Sequence, residues 1–208
     1  MASITLYTWN TPNGKKPAIL LEELSLTYEL VMINIGKGDQ RTPEFRALNP
    51  NGKIPALVDE DVTLFESGAI LVHLAQKHGA FLPQDPQARA HALSWTFWQV
   101  GGLGPMMGQW GYFTRIDEEV PHAIERYLAE SIRLLEVVEA RLQENEYLAG
   151  TDYSIADMMV YPWIVSGYRL IDNAPASRVP PLSALREWAK RIGERPAVQA
   201  ANARLLRG

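Results

Sequence analysis

The sequence predicts an α/β domain followed by an all-α domain. Two observations support this prediction. Strand-like and helix-like patterns alternate through residues 1–81 in the order βαβαββα, and strand patterns disappear after them. Residues 82–87, Leu-Pro-Gln-Asp-Pro-Gln, interrupt the pattern and are typical of a linker. We therefore expect a first domain over residues 1–81, a linker over 82–87 and a helical bundle over 88–208.

The first domain is predicted to open with a βαβ unit. Residues Ile4–Thr8 alternate like a strand, and Thr11–Gly14 has the composition of a turn. Pro17 suits the first position of a helix, and apolar residues at helical spacing follow it. A second strand is expected over Tyr28–Ile33. The two strands should be parallel and joined by a right-handed crossover.

The rest of this domain is predicted to contain a hairpin and a longer helix. Residues 36–39 have a loop composition, and Thr42–Ala47 suits a short helix. The hairpin joins Ala56–Asp59 to Val62–Phe65 through two acidic residues. The helix after it is expected over Glu66–His78.

Helices alone are predicted in the second domain. A Gly-Gly-Leu-Gly-Pro run at residues 101–105 should bend or interrupt a helix, because the strand that precedes a phosphate-binding loop is missing. Ser154 and Asp157 are spaced as a capping box at a helix start. The predicted helices are Arg89–Trp98, Pro121–Glu144, Ser154–Tyr168 and Pro181–Glu194.

Composition and charge exclude several classes of protein. The chain has 208 residues, of which 47% are hydrophobic and 21% charged, as in a packed globular protein. The net charge is −4 and the sequence has no long basic block, so nucleic acid is not an expected partner. No apolar run approaches the roughly 20 residues that span a bilayer. The first residues lack the features of a secretion signal, so we expect a cytoplasmic protein without a membrane partner.

The sequence contains no cysteine, which restricts its chemistry. It can form neither a disulfide nor a thiolate-bound metal site, and it offers no thiol nucleophile. The four histidines show no paired ligand spacing, so no metal site is expected. Any sulfur chemistry must therefore use a sulfur that a ligand brings.

Two short segments predict a small binding site. Glu66 and Ser67 stand where a strand ends and a helix begins, and a helix N-terminus attracts carboxylates. With Glu66 to receive an ammonium, the pair matches the head of an amino acid. Pro55 is a candidate for a cis bond that would present the Ile54 backbone to an extended peptide. The alternatives are a trans loop proline at Pro55 and a simple helix cap at Glu66-Ser67.

These motifs together resemble the cytosolic glutathione transferases. The shared motifs are Ile-Pro-Ala-Leu-Val at 54–58, Glu-Ser-Gly-Ala-Ile at 66–70 and Ser-Ile-Ala-Asp at 154–157, in that order. The resemblance covers essentially the whole chain. It implies a thioredoxin-like first domain with strand order 2-1-3-4, glutathione as co-substrate and a homodimer.

A narrower resemblance is to the bacterial Nu-class transferases and to the transferase-like domain of a fungal nitrogen regulator. It is carried by residues 11–14, 36–40, 99–106 and 123–127. Nu-class enzymes are glutathione-dependent disulfide-bond reductases that also reduce organic hydroperoxides. The resemblance therefore implies this activity for the chain, with a small disulfide, peroxide or electrophile as second substrate.

The resemblance also assigns residues to the tripeptide. Glu66 and Ser67 would hold the γ-glutamyl head. The backbone of Ile54 would pair with the cysteinyl part, and Gln40 and Lys53 would approach the glycyl end.

The sulfur would face Thr11 and Asn13, and Arg126 matches an arginine that reaches the ligand region from the helical domain. Asn13 also suits an ordinary turn, and Arg126 an ordinary solvated residue. Tyr7 lies inside the first strand, where we expect a structural role. Hydrogen bonds from neutral donors to a thiolate are strong enough to lower its pKa by about two units. Two other functions fit the same motifs: a non-catalytic glutathione-binding regulator and a conventional conjugating transferase.

Overall fold

The computed structural model describes residues 4–172, 174 and 177–207. The chain folds into two compact units. One contains the residues up to Leu82 together with those from Gly193 onward, and the other spans Pro83–Ile192. None of the described helices combines the length and the apolar character that a membrane span requires.

A four-stranded mixed sheet forms the centre of the first unit. Its strands are β1 (Ile4–Thr8), β2 (Glu29–Met32), β3 (Ala56–Asp59) and β4 (Val62–Phe65). They lie in the order β2-β1-β3-β4, with β1 parallel to β2 and antiparallel to β3. This confirms the strand order that the resemblance implies, and the predicted hairpin has the observed bounds.

Within the described residues, five helical segments accompany this sheet. They are α1 (Pro12–Glu23), a 3₁₀ turn (Asp39–Arg41), α2 (Pro43–Leu48), α3 (Ser67–His78) and α9 (Pro196–Arg207), the last helix of the chain. Leu6 of β1 and the stretch Ala18–Leu21 of α1 are almost fully buried, so the core lies between the sheet and α1.

The start of α1 corrects two predictions. Thr11–Gly14 is not a separate turn, because the helix begins at Pro12 and the Thr11 hydroxyl caps it by accepting the Gly14 N–H at 3.2 Å. Pro17 is inside the helix, where it removes the one hydrogen bond that would reach the Asn13 carbonyl. Pro12 already meets the preference for proline at the first helical position, so Pro17 is not needed there.

The terminal helix α9 was not predicted, and it packs against α1. Arg195 pairs in a bidentate manner with Glu23, and its Nη2–Oε2 distance is 2.8 Å. Arg204 donates to Glu22 at 3.0 Å and stacks 4.1 Å from the ring centre of Tyr28. These contacts join the last helix to the first.

Helices make up the second unit. A π-helical segment, Gln99–Leu103, connects the first two of them, which confirms that the glycine run interrupts a helix. The helix after this segment was not predicted. The helices are α4 (Pro86–Trp98), α5 (Gly104–Phe113), α6 (Pro121–Glu144), α7 (Ile155–Asp172) and α8 (Ser183–Gly193).

The predicted capping box is present at the start of α7. The carboxylate of Asp157 accepts the Ser154 N–H at 3.0 Å, and its other oxygen accepts the Leu148 N–H at 3.0 Å and the Trp188 indole N–H at 2.9 Å. Burial raises the pKa of Asp157 to about 6, although these hydrogen bonds act in the opposite direction. The box therefore also fastens α8 and the loop before α7 to the start of α7.

Candidate functional site

The loop before β3 is shaped by the buried side chain of Asn49. Its amide donates to the Lys53 carbonyl, and its Oδ1 accepts the Asn51 N–H at 2.9 Å. The Ile54–Pro55 peptide bond is cis, as one of the two predicted alternatives requires. The Ile54 side chain packs against a small apolar cluster of this unit. Asn49 thus fixes the backbone that enters β3.

The 3₁₀ turn brings Gln40 beside the same loop. Gly52 has φ 62°, and a Cβ added there would lie 3.1 Å from the Gln40 carbonyl. The Gln40 amide nitrogen donates to the Ile35 carbonyl at 3.4 Å, and its Oε1 is buried without a hydrogen-bond partner in the described part of the chain. Lys53 is exposed next to Gly52. The structure therefore places Gln40 and Lys53 on neighbouring loops.

Glu66 connects β4 to α3 in an unusual backbone conformation, with φ 70° and ψ 116°. Such a conformation costs a non-glycine residue about 1–3 kcal/mol. The Glu66 side chain makes no capping hydrogen bond, so capping does not explain why a glutamate is present. Ser67, which opens α3, is 6% exposed. The helix N-terminus and the Glu66 carboxylate thus lie side by side.

The first turn of α1 approaches the end of β1 closely. A Cβ at Gly14 would lie 2.1 Å from the Trp9 carbonyl oxygen and 2.4 Å from Thr8 Oγ1, so only glycine fits. The Thr8 hydroxyl donates to the Gly14 carbonyl at 3.1 Å. This contact fixes the position of Thr11 and Asn13, which are half-buried at the helix start.

Lys16 joins the two helix starts, and the sequence analysis missed it. Its ammonium donates to Asn13 Oδ1 at 2.9 Å and to Ser67 Oγ at 3.3 Å, although the two partners are far apart in sequence. The side chain is only 1% exposed. A lysine directly before the apolar run Pro17–Leu21 was the available signal, because it stands where α1 faces the core.

The electrostatics of this lysine are unusual. Burial lowers the pKa of Lys16 to about 7, and the nearby Glu66 carboxylate partly opposes that shift. A buried ammonium beside two helix N-termini makes this part of the unit attractive to anions. The structure therefore brings Asn13, Lys16 and Ser67 together, with Thr11 and Glu66 next to them in sequence.

Tyr7 packs on the same small apolar cluster as Ile54. Its half-buried ring packs against the cluster of Ile33, Phe45 and Ala56, in agreement with the structural role predicted for it.

Arg126 belongs to the second unit and is exposed on α6. It contributes to the wall of a cavity of about 670 Å³ that also includes His122 and Tyr127. Glu130 in the same wall forms a bidentate pair with Arg133, at 2.7 and 2.8 Å. The ligand role of Arg126 stays a prediction. Among the residues that the structure describes, no three metal-binding side chains are grouped as a metal site.

Comparison with known sequence families gives two matches. Residues 2–76 match the glutathione S-transferase N-terminal domain, and residues 105–196 match the glutathione S-transferase C-terminal domain. Among curated proteins, the chain is 46% identical over 203 residues to an Escherichia coli protein named disulfide-bond oxidoreductase YfcG. The match covers 93% of this chain and 92% of that protein.

Solved structures agree with this result. A Burkholderia graminis glutathione transferase, with two glutathione molecules bound per subunit, superposes with a TM-score of 0.91 at 40% identity. That match covers 99% of this chain and 89% of the other. A Pseudomonas putida glutathione transferase with one glutathione disulfide per subunit has a TM-score of 0.89 at 38% identity. This second match covers 96% of this chain and 90% of the Pseudomonas putida chain.

Proposed function

The chain belongs to the glutathione S-transferase family, and from this premise we propose that it is a glutathione-dependent disulfide-bond oxidoreductase. The name of the Escherichia coli relative and the glutathione disulfide in the Pseudomonas putida structure support this activity. The observation that carries it is the Asn13–Lys16–Ser67 arrangement, in a chain that has no cysteine of its own.

Glutathione binds to the first domain, residues 1–81, in an extended form. The N-terminus of α3 and the Ser67 hydroxyl hold the γ-glutamyl carboxylate, and Glu66 receives the ammonium. The Ile54 backbone pairs with the cysteinyl residue. Gln40 and Lys53, on neighbouring loops, hold the glycyl end. The buried Oε1 of Gln40, an acceptor without a partner in the described part of the chain, suits the peptide N–H of the glycyl residue, not its carboxylate.

Both reacting thiols come from substrates. Thr11 and Asn13 donate hydrogen bonds to the glutathione sulfur and favour its thiolate form. This thiolate attacks one sulfur of the second substrate, the disulfide bond breaks, and the leaving sulfur takes up a proton. A second glutathione thiolate then attacks the mixed disulfide. Two electrons pass to the substrate, which leaves as thiols, while glutathione disulfide is formed.

The proposal includes finer features that the family relationship supports. They are a glutathione-binding role for Arg126 and a homodimeric enzyme. A cytoplasmic location agrees with the need for reduced glutathione. Organic hydroperoxides are a second class of oxidant, because the same thiolate attacks a peroxide oxygen.

The test is glutathione-dependent reduction of bis(2-hydroxyethyl) disulfide, followed through glutathione reductase and NADPH consumption. We expect turnover with this disulfide, slower turnover with cumene hydroperoxide, and little conjugation of an aryl halide. Binding of glutathione without turnover of either oxidant would identify a regulatory protein. Rapid conjugation without disulfide reduction would identify a conventional transferase.

The Ser67→Ala variant tests the binding mode. It removes a hydroxyl from the proposed carboxylate site, so glutathione affinity measured by calorimetry should fall about tenfold. An alanine at Ser183, which opens α8 in the second unit, serves as the matched control and should leave affinity unchanged. Wild-type affinity in Ser67→Ala would remove Ser67 from the pocket.

A further inference from the structure

Lys16 is a buried cation at the point where α1 and α3 begin. It stands one helical turn after Asn13, is 1% exposed, and bonds both Asn13 Oδ1 (2.9 Å) and Ser67 Oγ (3.3 Å). A buried charge is expensive unless it is satisfied by hydrogen bonds. In the proposed function, its partner Asn13 contacts the glutathione sulfur and its partner Ser67 contacts the γ-glutamyl head.

The ammonium determines how the Asn13 amide is turned. An ammonium group has donors only, so the oxygen of the amide must face it. In a planar amide the NH₂ group then points away from Lys16. Asn13 is half-buried at the helix start, and the proposed function makes the glutathione sulfur the acceptor of this NH₂ group. Lys16 therefore turns a residue with two possible orientations into a hydrogen-bond donor.

The same argument applies to Ser67. Because Lys16 donates to the Ser67 oxygen, the hydroxyl hydrogen of Ser67 is directed to another acceptor. A carboxylate at the N-terminus of α3 is an acceptor of the right kind. One ammonium thus orients donors for both the sulfur and the carboxylate of one tripeptide.

We propose that Lys16 is the positioning residue of the glutathione site, acting through Asn13 on turnover and through Ser67 on binding. This inference rests on the proposed function and deepens it. Lys16 is not assigned a contact with the ligand. Its contribution is to fix two polar side chains before the ligand arrives, so their ordering does not have to accompany binding.

The charges around Lys16 agree with this role. Glu66 is the charged group whose field acts on it, and that field favours the ammonium form against burial. Lys15, the preceding residue on α1, is a second basic group, and burial lowers its pKa. Other charged groups of the neighbouring elements are engaged elsewhere: Glu22 with Arg204, Glu23 with Arg195, and Asp59 with His73 and Lys77.

The principal test is the Lys16→Met variant, which keeps an unbranched side chain and removes the ammonium. At saturating glutathione and a pH below 7, where Lys16 carries its proton, turnover should fall at least about tenfold, and the pKa of the bound glutathione thiol should rise by about one unit. The thiol is titrated by its ultraviolet thiolate absorbance. Lys15→Met, which removes the neighbouring charge on the same helix, is the matched control and should retain wild-type turnover.

A double-mutant cycle separates positioning from general stability. If Lys16 acts on turnover through Asn13, the Asn13→Ala/Lys16→Met protein should turn over within about twofold of Asn13→Ala alone. Likewise, Lys16→Met should not weaken glutathione binding further when it is combined with Ser67→Ala. Losses that multiply in both pairs would overturn the inference, as would wild-type turnover in Lys16→Met.

An aspartate at position 13 provides a second route if Lys16→Met does not fold. Asn13→Asp keeps an oxygen for Lys16, loses the NH₂ donor and adds a negative charge that disfavours a nearby thiolate, so the protein should fold with turnover no higher than that of Asn13→Ala. Wild-type turnover in Asn13→Asp would overturn the inference. A wild-type protein that neither binds nor uses glutathione would instead overturn the proposed function, and this inference with it.

Discussion

Replacing Asn13 with alanine tests how a chain without cysteine activates a thiol. Asn13 is the second residue of α1, and its amide oxygen is held 2.9 Å from Lys16 Nζ. Alanine removes the amide while favouring the helix, and the Thr11 cap stays in place. The variant should therefore keep its helix start, while it loses the proposed hydrogen bond to the sulfur and one acceptor of Lys16.

The magnitude follows from the charge of the acceptor. A hydrogen bond to a charged group contributes about 1.5–3 kcal/mol, and 1.36 kcal/mol corresponds to one pKa unit. Asn13→Ala should therefore raise the pKa of the bound thiol by about one to two units. At an assay pH below the wild-type pKa of the bound thiol, the thiolate fraction falls about 10- to 100-fold, and turnover falls with it.

Two measurements check this expectation. The thiolate absorbance of bound glutathione, followed against pH, gives the pKa of the thiol directly. Calorimetry should show that glutathione affinity changes less than about threefold, because the proposed contact of Asn13 is with the sulfur and not with the charged ends of the tripeptide. The control is Asn145→Ala in the second unit, whose amide bonds the Arg141 carbonyl and whose loss should leave turnover unchanged.

A wild-type thiol pKa together with wild-type turnover in Asn13→Ala would contradict this role of Asn13. A fall in affinity as large as the fall in turnover would also contradict it, because Asn13 would then bind the substrate and its thiolate equally.

Three further predictions concern stability. Gly14→Ala should lower the unfolding free energy by at least ~2 kcal/mol in urea titrations, because the added Cβ meets the Trp9 carbonyl oxygen. A loss under about 0.5 kcal/mol would contradict this close approach. Glu66→Gly should be more stable than Glu66→Ala by about 1 kcal/mol. Both variants lack the carboxylate, but only glycine adopts φ 70° without strain, so equal stabilities would argue against strain at this position. The unfolding free energy of wild type should rise by more than ~1 kcal/mol relative to that of Lys16→Met as pH rises from 7 toward 10. The folded lysine, with pKa about 7, loses its proton over this range while the unfolded one keeps it, so folding releases a proton; a flat difference would contradict the shift.

The elements that the sequence predicts well depend on neighbouring residues. The hairpin Ala56–Asp59 and Val62–Phe65 follows from two short apolar runs around a polar pair, and α6 from a long periodic pattern behind a proline. The box at Ser154 and Asp157 spans three positions. In each case the decisive atoms are close in sequence, so pattern and propensity are sufficient.

Elements that depend on distant partners were missed or misplaced. The α9 segment has an alanine-rich, weakly apolar sequence, and its packing on α1 through Arg195 and Glu23 joins residues from opposite ends of the chain. At Pro17 the local rule pointed to a helix start, but the close approach of Gly14 to β1 begins the helix five residues earlier. In both cases, contacts with residues that are distant in sequence determine where the helix forms.

Lys16 shows why a binding motif is more visible in a sequence than the residue that organises it. Glu66 and Ser67 form a pattern because ligand groups at a helix start need particular residue types in order. Lys16 forms a hydrogen bond to Ser67 across 51 positions, and in the sequence it is only a lysine before an apolar run. Its exposed fraction of 1% indicates a polar site, because an ammonium removed from water must be surrounded by acceptors. Those acceptors are then oriented by the charge, so a buried lysine in an apolar helix face is itself evidence of an organised polar site.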